Sequence, residues 1–453
     1  MPLGLYISVP FCRTKCSYCN FASDVFSKSA YESYVARLLE DIANSHQLAS
    51  ELGCALGFTL DDTADSIYLG GGTPSILDAP QLLRIFAAVR RHFAVTPDAE
   101  ITVECAPGTL TPALIETLLQ CGVNRVSLGV QSFVDREARS VGRLHKRSTV
   151  LEEIGRLRGA GLANINIDLI AGLPHQTAES WAFSVSETIA TGVPHVSIYM
   201  LEVDDDSRLG RELIAGGARY HAHFVPDDDA AADFYQQACE MLAAAGIAQY
   251  EISNFARAAA QSCDNELHKN ESRHNLKYWT RQPYLGFGVD AHSMLKALVW
   301  GRAPSPVQAE RSSADARGHD NSGFATAVDS VEADLHQVIR FATPESLDAY
   351  MNRAPHTVTP VSVRAAIEES FFLGLRLNRG VDLERLRTEF SPGAVALWDS
   401  AIEQCAQDGL LEQQGTILRL TGRGRLLSNE VFARFLTEKT EETKVGTGHV
   451  NSR

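Results

Sequence analysis

A membrane-spanning helix needs about 18 consecutive apolar residues. No run in the 453 residues reaches that length, so no spanning helix is expected. Positive charge is in deficit: 41 Lys and Arg stand against 56 Asp and Glu, a net charge of −15. A large nucleic-acid or anionic-membrane footprint needs clustered positive charge, and this balance argues against either. The opening MPLGLYISVPFC has no basic n-region, so no secretory signal is expected and the expected compartment is the cytoplasm. No repeat at solenoid periods is visible. Cysteine is scarce, nine in the whole chain, far below a disulfide scaffold. What remains is ordinary for a soluble globular chain, 45% apolar and 21% charged. The length suits two or three domains at roughly 150 residues each.

The few cysteines are unevenly placed. Cys12, Cys16 and Cys19 fall within eight positions, and the other six are scattered. In a cytosolic chain a tight cluster points to metal or redox chemistry, whereas isolated cysteines behave as small buried hydrophobes.

The first half alternates short apolar runs with helix-length segments. Residues 5–9, 66–69, 101–104, 125–129, 164–170 and 195–201 are rich in Ile, Val and Tyr, as strands buried on both faces should be. Between them the periodicity predicts helices over 31–49, 79–93, 112–121, 150–161 and 178–191. Six strand–helix units imply a parallel sheet with helices outside, either an open doubly wound sheet or a partial barrel. In both, ligands bind beyond the C-terminal ends of the strands. PFCRTKCSYC, GGGTP, ECAPG, GVQSF and AGLP all sit at those ends. Residues 205–300 are mixed, with a helix over 230–245, and 301–333 read as a flexible insertion. A second block over 358–436 carries helices at 363–375, 383–390, 394–408 and 427–436 with a strand pair, the pattern of a winged-helix-like module. Beyond Arg419, Arg423 and Arg425 its basic residues are few, which favours a lid or partner surface over DNA binding. A frayed polar tail from 437 to 453 completes the chain.

Cys12, Cys16 and Cys19 give C-x3-C-x2-C. A structural zinc site wants four closing ligands, and no fourth Cys or His follows nearby, leaving only a zinc knuckle completed by a distant His. Three thiolates instead leave one iron of a 4Fe–4S cluster without a protein ligand, an open position that a small molecule bearing an amine and a carboxylate can chelate. The glycines of Gly70–Gly72 let backbone approach a ligand closely, and Thr73 adds a hydroxyl, although the same string also suits a tight turn. Glu104 ends an apolar strand and needs a partner, either a core cation or a cationic ligand. Gln131, Arg143 and Asp168 lie at strand ends or just beyond. Arg143 suits bidentate capture of a carboxylate, and a strand-end Asp suits hydroxyl recognition or a helix cap.

In order, PFCxxxCxYCxF, GGGTPS, ITVExxPG, GVQSF, GRLH, NIDLIAGLP, QYEISNFA and HNLKYW resemble the oxygen-independent coproporphyrinogen III oxidases and their relatives within the radical S-adenosylmethionine (SAM) enzymes. The oxidase proper has a further cysteine two residues after the third, where this chain has Phe21. That ending, with HNxxYW at residues 274–279, is similar to the HemW haem-chaperone branch. The resemblance implies an α/β fold, a partial (β/α)6 TIM-type barrel over 1–235. It also implies a connecting region over 236–357 and a mostly helical, winged-helix-like domain over 358–436. It implies a 4Fe–4S cluster on Cys12, Cys16 and Cys19. SAM contacts would come from Tyr6, Tyr18, Gly71, Gly72, Thr73, Glu104, Gln131, Arg143 and Asp168. His274 would be the haem ligand, with Asn275, Tyr278 and Trp279 orienting it. The function implied is haem carriage to an acceptor haemoprotein, compatible with transient docking to a membrane haemoprotein, with a reductant for the cluster. The alternatives are oxidative decarboxylation of coproporphyrinogen III, or radical methylation or cyclopropanation.

Overall fold

The computed structural model describes residues 1–53, 61–258, 269–296 and 338–436. Cys54, Cys263, the 301–333 stretch and the 437–453 tail lie outside them. Two compact units divide at Val363 and Arg364.

The first unit is built on one twelve-stranded sheet. Its centre is β1 (Leu3–Val9), β2 (Thr63–Gly71), β3 (Ala94–Cys105), β4 (Arg125–Gln131), β5 (Ile165–Ala171) and β6 (His195–Met200), all parallel and paired in sequence order. The intervening helices are α1 (Lys28–Gly53), α2 (Ala79–His92), α3 (Pro112–Gln120), the short α4 (Asp135–Ser140), α5 (Arg147–Gly159) and α6 (Ala178–Thr191). Unbroken 1-2-3-4-5-6 order decides between the two topologies. A doubly wound sheet reverses its winding at one strand, whereas a barrel never does. The barrel stays open because other strands take the outer edges of β1 and β6. A final α/β run, α7 (Arg208–Ile214), α8 (Asp228–Ala244), β7 (Ile247–Gln249) and β8 (Asn254–Arg257), places β8 antiparallel on β6. Then α9 (Arg273–Trp279) leads to β9 (Tyr284–Phe287), which pairs parallel with β1. Three antiparallel strands follow it outward: β10 (His292–Lys296), β11 (Val338–Ala342) and β12 (Thr357–Val361). Strands β8 and β7 therefore extend the barrel's sheet beyond β6, and β9 to β12 extend it beyond β1.

Local chemistry explains the alternation. Strand β5 is buried on both faces, so its run is continuously apolar apart from Asn166 and Asp168. Helix α1 buries Tyr34, Val35, Leu38 and Ile42 at three- and four-residue spacing, one helical face. Helices α2 and α6 open with reciprocal capping boxes, Asp78 with Gln81 and Thr177 with Ser180. Helix α6 ends on Gly192 in the left-handed conformation that glycine adopts without strain.

The second unit carries a small antiparallel sheet of Val381–Asp382, Ile417–Leu420 and Leu411–Gln414. Phe371 stacks on Phe435 at 4.7 Å, and the Trp398 indole donates to Phe435 O at 2.9 Å. The helix expected over 394–408 is broken into Pro392–Val395, a 3-10 turn at Ala396–Trp398, and Asp399–Gln407. Arg419, Arg423 and Arg425 each donate to a backbone carbonyl within the unit.

Candidate functional site

Strand β1 delivers the chain into the cysteine loop. Phe11 is fully buried, stacked on Tyr31 at 4.1 Å with Tyr34 edge-on at 5.1 Å, so the loop's root is anchored to α1. Cys12 N donates to Asp24 O (2.9 Å) and Asp24 N to Pro10 O (3.0 Å), closing the loop on itself. The Lys15 ammonium donates to Phe21 O (2.9 Å) and Ser23 O (2.6 Å), holding the far limb. Ser17 N donates to Val141 O and Thr14 Oγ1 to Gly142 O, tying the loop to the end of α4.

Cys12 and Cys19 are half-buried and Cys16 is buried, and all three line one cleft of about 590 Å³ at the C-terminal ends of the strands. Among the described residues no three His, Cys, Asp or Glu side chains converge closely enough to hold a single metal ion. Cys105 also lines the cleft. Its thiol lies 3.7 Å from Val103 O, and burial pushes its pKa up.

The glycine string forms the adjoining wall. Gly72 N donates to Val9 O and Thr73 N to Phe11 O, both at 2.8 Å, so the end of β2 clasps the root of the cysteine loop. A Cβ on Gly72 would lie 2.7 Å from Phe11 O and 2.8 Å from Val9 O, which no other residue tolerates without moving that backbone. The Thr73 hydroxyl reaches 3.7 Å from Cys12 Sγ.

Opposite stand the polar groups from β3, β4 and β5. Tyr68 OH donates to Glu104 Oε1 at 2.8 Å. Desolvation, reinforced by Asp168, pushes Glu104 up to about 7. Asp168 accepts from Ser127 Oγ (2.9 Å) and Asn166 Nδ2 (2.7 Å), and its pKa also is raised, chiefly by burial. Strand β4 bulges between Gly129 and Gln131, and Gln131 is left-handed at φ 68°, a strained conformation that concentrates at functional sites. Arg143 donates to Gly129 O and, at 3.6 Å, to Cys16 Sγ. Among the described residues, Gln131 Oε1 and Arg143 Nε are buried without any partner, although both residues line the cleft. Buried polar atoms are rarely left unsatisfied, and each such exception calls for an explanation such as a missing ligand. An acceptor and a charged donor orphaned beside three thiols fit the amine and carboxylate of an amino acid.

Of the residues expected to contact SAM, Tyr18, Gly71, Gly72, Thr73, Glu104, Gln131, Arg143 and Asp168 all line this cleft. Tyr6 does not: it lines a neighbouring cavity of about 280 Å³ that shares Gly71 and Phe21 with the cleft. His274 departs further from expectation. Residues 273–279 form α9, not a strand, because Ser272 Oγ caps the helix by accepting from Asn275 N. His274 is 1% exposed, with Nδ1 at 3.1 Å from Ser66 Oγ and Nε2 at 2.8 Å from Tyr278 OH. Burial, then the Lys277 charge, pushes it down to about 3. It borders neither cavity. As placed, His274 has both ring nitrogens hydrogen-bonded and no exposed surface, so ligating an iron would require one of those bonds to open. Sequence reasoning missed Tyr68, Ser127 and Asn166. The signal was period two: each lies two residues before Gly70, Gly129 or Asp168 and so points to the same side of its strand.

The Radical SAM superfamily model matches residues 6–185, and the HemN C-terminal domain model matches residues 361–427. Heme chaperone HemW of Mycobacterium tuberculosis is 31% identical over 438 residues, spanning 96% of this chain and 95% of that one. Heme chaperone HemW of Bacillus subtilis is 30% identical over 434 residues, 96% and 99% of the two chains. The chain belongs to the HemW family. Its HemW relative in Escherichia coli is 33% identical over 292 residues, 64% of this chain and 70% of that one. Coproporphyrinogen III oxidase (HemN) from Escherichia coli, a radical SAM enzyme, superposes with a TM-score of 0.71 over 96% of this chain and 90% of its own, at 20% identity. That likeness is one of fold, and it covers the open barrel and the sheet extensions. Among the described residues no helix of this HemW-family chain is long and apolar enough to cross a membrane.

Proposed function

We propose that this chain is a haem chaperone that binds a 4Fe–4S cluster and SAM, takes up haem, and passes it to an acceptor haemoprotein. The observation that carries the reading is the cysteine loop: three thiols in one cleft, with exposed Phe21 two residues after the third. End-to-end relatives named as heme chaperones support it.

Cys12, Cys16 and Cys19 would hold three irons, and Lys15 keeps their loop closed. When bound, the cluster with SAM on its fourth iron supplies one-electron chemistry at the sulfonium, driven by an external reductant. Arg143 and Gln131 would receive the carboxylate and amine, satisfying their orphaned atoms. Glu104 would face the sulfonium charge, and Asp168, held by Ser127 and Asn166, would accept from ribose hydroxyls.

Anaerobic reconstitution followed by haem titration tests this. The expected result is a saturable Soret band at one haem per chain and transfer of that haem to an apo-haemoprotein. Conversion of coproporphyrinogen III to protoporphyrinogen IX would overturn it in favour of the oxidase.

A further inference from the structure

His274 is buried with both ring nitrogens hydrogen-bonded, and the geometry points to a different histidine, His292, as a ligand of haem iron, poised over the cavity of about 280 Å³ beside the cysteine loop. This inference rests on the haem-chaperone reading above.

His292 opens β10, directly after the turn formed by residues 288–291. That turn is held from several sides. Gly288 is left-handed at φ 92°, where a Cβ would lie 2.5 Å from Ser8 O. Asp290 is left-handed at φ 54° without being glycine, a conformation that persists only where its surroundings enforce it. They do so here: Asp290 N donates to Pro344 O (2.9 Å), Ala291 N to Thr343 Oγ1 (2.7 Å), and Thr343 N back to Ala291 O (3.0 Å). The turn therefore presents the His292 side chain from a fixed base, 69% exposed.

Three features make this a haem-iron site. First, the imidazole is accessible, and the nitrogen not facing Asp290 has no hydrogen-bond partner among the described residues. Neutral imidazole is the commonest protein ligand of haem iron. Second, Asp290 Oδ1 lies 3.8 Å from His292 Nε2. At that separation the carboxylate makes no direct hydrogen bond, but its negative charge beside the ring would favour a cationic iron on the other nitrogen. Third, the cavity beneath is walled by Tyr6, Phe21, Tyr278, Tyr284 and Val289. Aromatic and apolar walls suit the faces of a flat macrocycle. The volume is at the small end for a ligand pocket, so it takes an edge of the macrocycle and leaves the rest exposed. Exposure is what a carrier needs, because the acceptor must reach the haem to remove it. Phe21 and Gly71 line both this cavity and the cysteine cleft, so haem seated here lies next to the SAM side of the molecule.

The second-best histidine set in the first unit surrounds Phe224, with His175 Nε2 at 3.1 Å from His221 Nδ1 and the His223 ring tilted against Phe224 at 4.0 Å. Two of its imidazoles already hydrogen-bond each other, and none of the three borders either cavity.

The test uses the full reconstituted chain. His292→Ala should lower haem affinity roughly tenfold to a hundredfold and shift the Soret band, and Asp290→Asn should weaken binding by a smaller factor. His292→Cys should restore binding with the altered spectrum of thiolate-ligated iron, a signature that a merely structural residue does not produce. Iron–sulfur content should be unchanged in all three. Unaltered affinity and spectrum in His292→Ala, or loss of haem only in His221→Ala/His223→Ala, would overturn the assignment alone. Failure of the unaltered chain to bind haem would overturn the chaperone reading and the assignment with it.

Discussion

Replacing Glu104 by Gln should stabilise the cluster-free protein at neutral and alkaline pH while weakening its hold on SAM. Glu104 ends β3 inside the cleft, and desolvation lifts its pKa from 4.5 to about 7. The folded chain therefore binds this proton more tightly than the unfolded chain does. The resulting contribution to stability is fully present below pH 4.5, declines as pH rises, and is gone above about pH 7. A difference of about 2.5 at 1.36 kcal/mol per pKa unit gives a change of roughly 3 kcal/mol across that window. A glutamine there would keep the shape and the acceptor for Tyr68 OH but would not titrate. Urea denaturation of the reduced, cluster-free parent and of Glu104→Gln, at about pH 5 and about pH 8, reads the change directly. The variant should gain on its parent by about 2.5 kcal/mol between the two conditions. A cationic ligand favours ionised Glu104, so SAM affinity in the parent should rise with pH through about 7, and the variant should lose that dependence. A stability difference that does not vary with pH would refute the reasoning, because it would mean that Glu104 is not desolvated.

Other expectations follow from the same geometry. Gly72→Ala drives a methyl into Phe11 O and Val9 O, so cluster loading should collapse with a stability loss of about 1–3 kcal/mol, read as iron content and melting temperature. Lys15→Met removes the donor to Phe21 O and Ser23 O, and iron retention during chelator challenge should fall while the circular dichroism stays the same. Burial leaves three histidines neutral: His145 pushed down to about 4, His274 to about 3, and His195 well below its ordinary value. Their stabilisation is present above about pH 6.5 and is lost as pH falls toward 4 and 3. It opposes and exceeds that of Glu104, so melting temperature should drop steeply over this acid range. His274→Ala should destabilise by about 2–4 kcal/mol through the cavity and two lost hydrogen bonds, yet leave the haem Soret band in place.

The barrel was legible because its strands are buried on both faces and therefore read as continuous apolar runs between amphipathic helices. Runs such as residues 5–9 and 195–201 lie within a residue or two of β1 and β6. The choice between barrel and doubly wound sheet was not legible, because strand order is a non-local property that periodicity does not encode. Strands β7 to β12 were missed for a different reason. They are three to five residues long, too short for a periodic signal. The cysteine loop and glycine string were legible from residue type and spacing alone. The surroundings of His274 were not legible, because a motif names residues and not what packs around them. Only the structure shows Ser66 and Tyr278 closing on both ring nitrogens. His292 carried no signal beyond following a glycine-rich turn, and its exposure and its carboxylate neighbour arise from the packing of that turn against residues 343–344.

Everything proposed for the cleft depends on three thiols of one loop leaving one iron corner for an exchangeable ligand. Electron paramagnetic resonance of the anaerobically reconstituted, reduced chain, with and without SAM, tests this most directly. The expected result is one 4Fe–4S cluster per chain whose signal changes when SAM is added, and no cluster in a Cys12, Cys16 or Cys19 variant. Bound zinc, or a cluster whose signal is the same with and without SAM, would contradict it.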